Sequence, residues 1–393
     1  MSLRVGLVVA LLVGCTDETE SGVQSVADTA SPGDTVVADT SAAEPDASES
    51  SIDTAADAHD PNDAGEPDTS EGPTVVGLAA AEAAYATYCA LCHGPIGEGY
   101  VADGATALNN QQWLTTASDG FIRDAILKGR PGTPMSAWAA ERGGPLSNVE
   151  VDALVKLIRG WQTEVNVTLP TEDATGVPGR AEPLYEFHCA ECHGTAGTGQ
   201  PYLALDNPEL LASGSDAFFR YAIAKGRAGT PMLGYETTLT TQGIDDLVAL
   251  MRSWQVDPAA PPTVLPNADA LAVLNPDGGE PDLGAERHVP ADTVKTAIDA
   301  GDTLVLLDAR PGSDYVVEHI SGAISVPFYA VSEHLHRLPT DVWIVAYCAC
   351  PHAESGLAAD ALEAAGYTKV RVIDEGFLVW KDRDYPTTAG ADP

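Results

Sequence analysis

Positive charge is what this sequence has least of. Only 20 Lys and Arg stand against 58 Asp and Glu, giving a net charge of -38 over 393 residues. Such a surface repels nucleic acid and suits basic partners, though it says nothing about fold. The apolar run Val5–Val13, behind the single cation Arg4, is too short to cross a bilayer as a helix. Cysteines at varied spacings are missing as well. There are seven, and after Cys15 they fall into three tight local pairs, which excludes an ordinary disulfide framework. Methionine is scarcer still, at four, so the setting of each one is informative.

The acidity is unevenly spread. Thr16 to Val76 holds 16 acidic residues and no Lys or Arg, in a background of Ser, Thr, Ala, Pro and Gly. That segment cannot bury enough surface to offset its ordering entropy, and it reads as a disordered, self-repelling tether over 15–76. Residues 1–14 have the layout of a secretory signal. They run into "LVGC", which resembles the lipobox of bacterial lipoproteins and makes Cys15 the expected lipidation site; an ordinary signal peptide with an incidental cysteine is the alternative.

What is present is Cys-x-x-Cys-His, twice: "CALCH" at 89–93 and "CAECH" at 189–193. The pentapeptide is the attachment signature of c-type haem. Residues three apart on a helical turn share a face, so Cys89 and Cys92 can reach both vinyl groups on one haem edge. His93 then presents its imidazole to the iron. Cys189, Cys192 and His193 take the same roles in the second copy. A single four-cysteine zinc site would leave both histidines unexplained.

The similarity extends further. "FIRDAILKGRPGTPMSAW" at 121–138 matches "FFRYAIAKGRAGTPMLGY" at 218–235, and "DALVKLIRGWQ" at 152–162 matches "DDLVALMRSWQ" at 245–255. Repetition of this length predicts two domains of one fold. The offset drifts from 100 to 97 to 93, so the copies differ by shortened loops. Met135 and Met232 fall in one setting, after Gly-Thr-Pro. Thioether sulfur is a suitable sixth haem ligand, and the residue before Pro is kept out of helix, which gives a stiff loop. Core methionines filling gaps are the plainer alternative. Met251 aligns with Ile158 and needs only to be apolar. Val151, Leu154, Val155 and Ile158 recur at helical spacing, and Trp161 and Trp254 close the segment as core residues. Residues 77–165 and 175–257 each resemble a class I cytochrome c domain, particularly of the type found in haem-c subunits of terminal oxidases and bacterial dehydrogenases. The resemblance implies a few helices around one haem per domain, hence two covalently bound haems c.

A Pro-, Ala-, Asn- and Asp-rich linker over 258–285 comes next. Beyond it, β-rich "TLVLLDAR" and "DVWIVAYC" alternate with helical "SGLAADALEAAGY", which predicts a parallel sheet. With "EHISGAISVP", "VAYCACPHAES" and "VIDEGFLVW", these segments resemble a rhodanese domain over 286–390. The resemblance implies a nucleophilic cysteine at the end of a central strand, carrying sulfane sulfur as a persulfide to a thiol or to cyanide. A loop and helix N-terminus would stabilise the anion and lower the thiol pKa. Cys348 maps onto that cysteine, although Cys350 competes for the role. Glu354 replaces the usual Arg before Ser355, and the loop is one residue longer than the common form. Asp308, Arg310 and His319 match framework positions of the family, and His352 and His188 read as surface histidines.

The expected molecule is multidomain, with two all-α cytochrome c domains and a C-terminal α/β rhodanese-like domain. It is exported to the periplasmic side and membrane-anchored through an N-terminal lipid. Its expected partners are redox proteins of basic character and a sulfane-sulfur donor or thiol acceptor, without nucleic acid. For the tail three readings stand: a sulfurtransferase using Cys348 and coupled to the haems, a docking module without turnover, and a thiol redox switch pairing Cys348 with Cys350.

Overall fold

The computed structural model describes residues 77–101, 104–199, 202–349 and 352–393. The signal segment, Cys15, the acidic tether and Cys350 lie outside the described residues. No described helix is long and apolar enough to cross a membrane.

The first repeat runs α1 (Leu78–Tyr88), α2 (Ala90–His93), α3 (Gln111–Leu114), α4 (Asp119–Lys128) and α5 (Asn148–Arg159). The second runs α6 (Pro178–His188), α7 (Ala190–His193), α8 (Pro208–Ser213), α9 (Asp216–Lys225) and α10 (Thr241–Ser253). Matching side chains start matching helices. Asn110 and Asn207 cap α3 and α8, and Ser118 and Ser215 cap α4 and α9, each accepting from a backbone amide three residues on. The first and last helices of each repeat pack together. Tyr85 meets Trp161 edge-on at 5.1 Å, and Tyr185 meets Trp254 at 5.0 Å.

The C-terminal part holds α11 (Ala291–Ala300), α12 (Gly312–Val317), α13 (Val331–His334), α14 (Ala353–Ala364) and α15 (Gly376–Asp382). Its strands are β1 (His288–Val289), β2 (Leu304–Asp308), β3 (His319–Ile320), β4 (Ala323–Ser325), β5 (Trp343–Tyr347), β6 (Val370–Ile373) and β7 (Thr387–Thr388). A five-stranded sheet of order β1-β6-β5-β2-β4 is parallel throughout, and β3 pairs antiparallel with β7. Side chains alternate between two cores, as a strand buried on both faces requires. Leu304, Leu306, Val345 and Tyr347 face one core. Val305, Leu307, Ile344 and Ala346 face the other, which continues without a break into the helical repeats.

The segment 258–285 contains no helix or strand of its own, yet it is tied down. Leu274 exchanges backbone hydrogen bonds with Leu304 at the start of β2, and the Asn267 amide donates to the Ala391 carbonyl.

Candidate functional site

In each repeat the chain passes directly from its first helix into the Cys-x-x-Cys-His turn. The amides of Cys92 and His93 both return to the Cys89 carbonyl, at 3.2 and 2.9 Å. The equivalent bonds to Cys189 are 3.1 and 2.9 Å. His93 Nδ1 donates to the Thr106 carbonyl at 2.8 Å, and His193 Nδ1 to the Leu203 carbonyl at 2.9 Å. A carbonyl only accepts, so Nδ1 holds the proton and Nε2 keeps a free lone pair. Burial lowers the pKa of both imidazoles, which favours the neutral form that binds iron.

Farther along each repeat lies a closed turn built alike in the two copies. The Arg130 amide donates to the Met135 carbonyl at 2.7 Å, and Thr133 Oγ1 bridges the Arg130 carbonyl and the Met135 amide at 2.7 and 3.2 Å. Arg227, Thr230 and Met232 repeat the pattern at 2.8, 2.7 and 3.2 Å. Gly129 opens the first turn at φ +65°, where a Cβ would meet the Met135 carbonyl oxygen at 2.5 Å. No side chain fits there.

Arg130 and Arg227 belong to this turn too, and sequence reasoning passed over them. Burial drives both guanidiniums down to about 10. Among the described residues neither has a carboxylate at ion-pair distance, and each guanidinium donates only to the carbonyl of the preceding Gly. Arg130 is buried and Arg227 half-buried, over the Phe121 and Phe218 rings at 5.5 and 5.3 Å, a setting with room for an anionic guest. A haem, which brings two carboxylates, fits that setting along with the paired thiols, the imidazole lone pair and the thioether. A shared zinc site fits poorly. The four cysteines form no metal-sized cluster among the described residues.

Cys348 directly follows the central strand β5 and is fully buried, with Sγ 3.3 Å from Ser355 Oγ at the start of α14. Its carbonyl accepts from the Phe377 amide at 2.7 Å. Below it, Arg310 forks onto Asp308 at 2.9 and 2.6 Å, and the Tyr347 hydroxyl donates to Asp308 at 2.9 Å. His319 stacks on Tyr315 at 3.8 Å and bonds its carbonyl, so these framework residues support the loop rather than line it. Glu354 is buried, and burial, then the neighbouring Cys348 and Asp314 charges, drive its carboxyl well above the usual range. Its protonated form is therefore favoured. The charge expected from the sequence to oppose a thiolate is suppressed, but no cation replaces it. His352 is held neutral by partial burial and by His288, so it supplies no positive charge either.

Residues 77–158 and 178–251 match the family model for cytochrome C oxidase, cbb3-type, subunit III, and residues 290–383 match the rhodanese-like domain. Two segments of the chain thus match a cytochrome c family model, and a third matches a rhodanese-like one. The HTH-type transcriptional regulator Rv0324 of Mycobacterium tuberculosis is 35% identical over 95 residues, 24% of this chain and 41% of its own. The Cbb3-type cytochrome c oxidase subunit CcoP of Azospirillum sp. is 29% identical over 36% of this chain and 50% of its own. The thiosulfate sulfurtransferase GlpE of Pseudomonas fluorescens is 26% identical over 27% of this chain and 95% of its own. The chain thus spans half or less of the first two relatives. A cytochrome domain of this type implies covalently bound haem c.

The cytochrome repeats meet each other through equivalent residues. Asn110 Nδ2 donates to the Ala228 carbonyl at 2.8 Å, and Asn207 Nδ2 to the Pro131 carbonyl at 3.0 Å. Phe121 and its counterpart Phe218 touch at 4.9 Å. Such reciprocity describes an isologous, pseudo-two-fold joint. The rhodanese-like domain packs on the first repeat's outer face. There Tyr88 packs on Tyr329 at 5.6 Å and Trp138 on Phe328 at 6.5 Å, and Ser313 Oγ donates to the Ala137 carbonyl at 3.0 Å. Helix α14, which begins beside Cys348, packs against α2. The matching face of the second repeat is bare, with Phe187 83% and Leu233 67% exposed.

Proposed function

We propose that the chain is an exported dihaem electron carrier whose rhodanese-like domain handles sulfane sulfur at Cys348. Cys89 and Cys92 would hold one haem and Cys189 and Cys192 a second, with His93 and Met135, and His193 and Met232, as axial ligands. The observation that carries this reading is the duplicated cradle. Each copy carries, besides its Cys-x-x-Cys-His helix, a His with Nδ1 bonded to a carbonyl, a stiff Met turn and an Arg with no carboxylate partner among the described residues. Each bound haem supplies storage and release of a single electron. An absorption spectrum with haem stoichiometry tests it. Two c-type haems per chain and a weak sulfur-to-iron band near the red end are expected, whereas a colourless or zinc-loaded protein would refute it.

The anchor at Cys15 and the periplasmic location are part of the same proposal. Its redox partner is a protein with a basic rim. The face around Phe187, His188, Leu233 and Tyr235 suits it, because the apolar residues are flanked by exposed Glu182, Glu186 and Glu191.

For the tail, Cys348 accepting sulfane sulfur next to the first cytochrome domain is the leading reading. Full burial of Cys348 and the absence of a cation at position 354 favour a second reading, a docking module without turnover. Thiocyanate formation separates them. Activity abolished by Cys348→Ser supports transfer, and no activity in either protein supports docking. Haem reduction on adding thiosulfate or polysulfide, lost in the same variant, would support coupling of the two parts.

A further inference from the structure

We propose that His288, His352 and Asp374 form a site for a zinc-class divalent cation, fastening the Cys348 loop to the edge of the sheet. The proposal does not depend on whether Cys348 transfers sulfur.

The three residues come from separate segments. His288 opens the edge strand β1, Asp374 directly follows β6, and His352 is the last residue before α14. Their candidate ligand atoms all lie within 4.8 Å of one another. Two of the positions are fixed by the sheet. His288 pairs with Val372, and the Asp374 amide donates to the Val289 carbonyl at 2.9 Å. Side chains alternate along a strand, so Asp374, two residues beyond Val372, extends the face that His288 occupies. His352 is fixed differently. It sits at φ +55°, a conformation uncommon for a residue with a Cβ, at the turn that leads the loop into α14. Strain of this kind persists where the surroundings over-determine a position, and it concentrates at functional sites.

An ordinary His–Asp pair explains part of the arrangement, since His352 Nε2 lies 2.7 Å from Asp374 Oδ1. It does not explain a second imidazole. The His288 and His352 rings are 4.1 Å apart at an interplanar angle of 33°, which brings a second nitrogen donor to the same place. A metal accounts for all three, because it binds imidazoles and a carboxylate together. Zinc bonds of roughly 2.0–2.1 Å place tetrahedral donors about 3.3 Å apart. Closing the site from 4.8 Å takes about 1.5 Å of side-chain movement. Two nitrogen donors and one oxygen select zinc and its late transition-metal neighbours over calcium or magnesium, which prefer all-oxygen sets. The fourth position faces solvent, since His352 and Asp374 side chains are 36% and 49% exposed.

The test uses the full holoprotein, stripped with chelator, loaded with zinc and dialysed, with zinc counted by elemental analysis beside haem iron. The expected result is one retained zinc per chain. Affinity should fall at least about tenfold in His288→Asn, His352→Asn and Asp374→Asn. Asn is chosen at 352 because it tolerates positive φ, so the loop keeps its shape. A Cys348→Ser/Cys350→Ser double variant should still bind. Failure of the wild type to retain zinc, undiminished retention in the His352 variant, or loss confined to the cysteine double variant would each overturn the proposal.

Discussion

Glu354 stands where the rhodanese resemblance leads one to expect an arginine, and its setting makes that departure measurable. Burial raises its folded-state pKa above the unfolded value near 4.5. A carboxyl shifted in that direction contributes its full stability below the unfolded pKa. The contribution is lost as pH rises toward the folded pKa. Glu354→Gln keeps the shape and removes the titration. Its unfolding midpoint should match the wild type below about pH 4 and exceed it increasingly at higher pH, as thermal melts across pH would show. Equal gaps at every pH would mean that Glu354 titrates alike in the folded and unfolded protein.

At the scale of elements, the Met turn is the most exacting piece of backbone. Gly129 adopts φ +65° and faces the Met135 carbonyl oxygen, so Gly129→Ala must displace the turn. The expected outcome is unchanged haem content per chain with the sulfur-to-iron band halved, because Gly226 holds the second turn intact at φ +66°. Absorption spectra of both single variants check it. Much of this level was legible in the sequence. The Cys-x-x-Cys-His turns, the Gly-Thr-Pro-Met loops and the strand "LVLLD" are local patterns whose cause is local backbone chemistry. Arg130 and Arg227 were written there too, inside "KGRPGTPM" and "KGRAGTPM", but an Arg in a polar loop reads as solvated until its burial is known. His288, His352 and Asp374 carried no signal, because only strand register brings them together.

At the scale of the whole molecule, two copies of one domain have unequal neighbours. Trp138 is covered where Tyr235 is half-exposed, and Ser136 is buried where Leu233 is 67% exposed. Sequence repetition reveals the equivalence but not the inequality, since contacts such as Tyr88 with Tyr329 join residues far apart along the chain. If the bare face receives the redox partner, Phe187→Ala and Leu233→Arg should slow electron exchange with a basic monohaem cytochrome c about tenfold. Val165→Arg, at an exposed site between the repeats, should leave it unchanged. Stopped-flow absorbance reads the rates, and equal slowing in all three variants would dismiss that face.

Val305, Leu307, Ile344 and Ala346 lie in one apolar core with the helices of the cytochrome repeats. Excising the rhodanese-like domain would therefore strip a packed apolar seam and leave a sticky wound on both fragments. The two parts are welded rather than tethered, and each has to be assayed in the presence of the other.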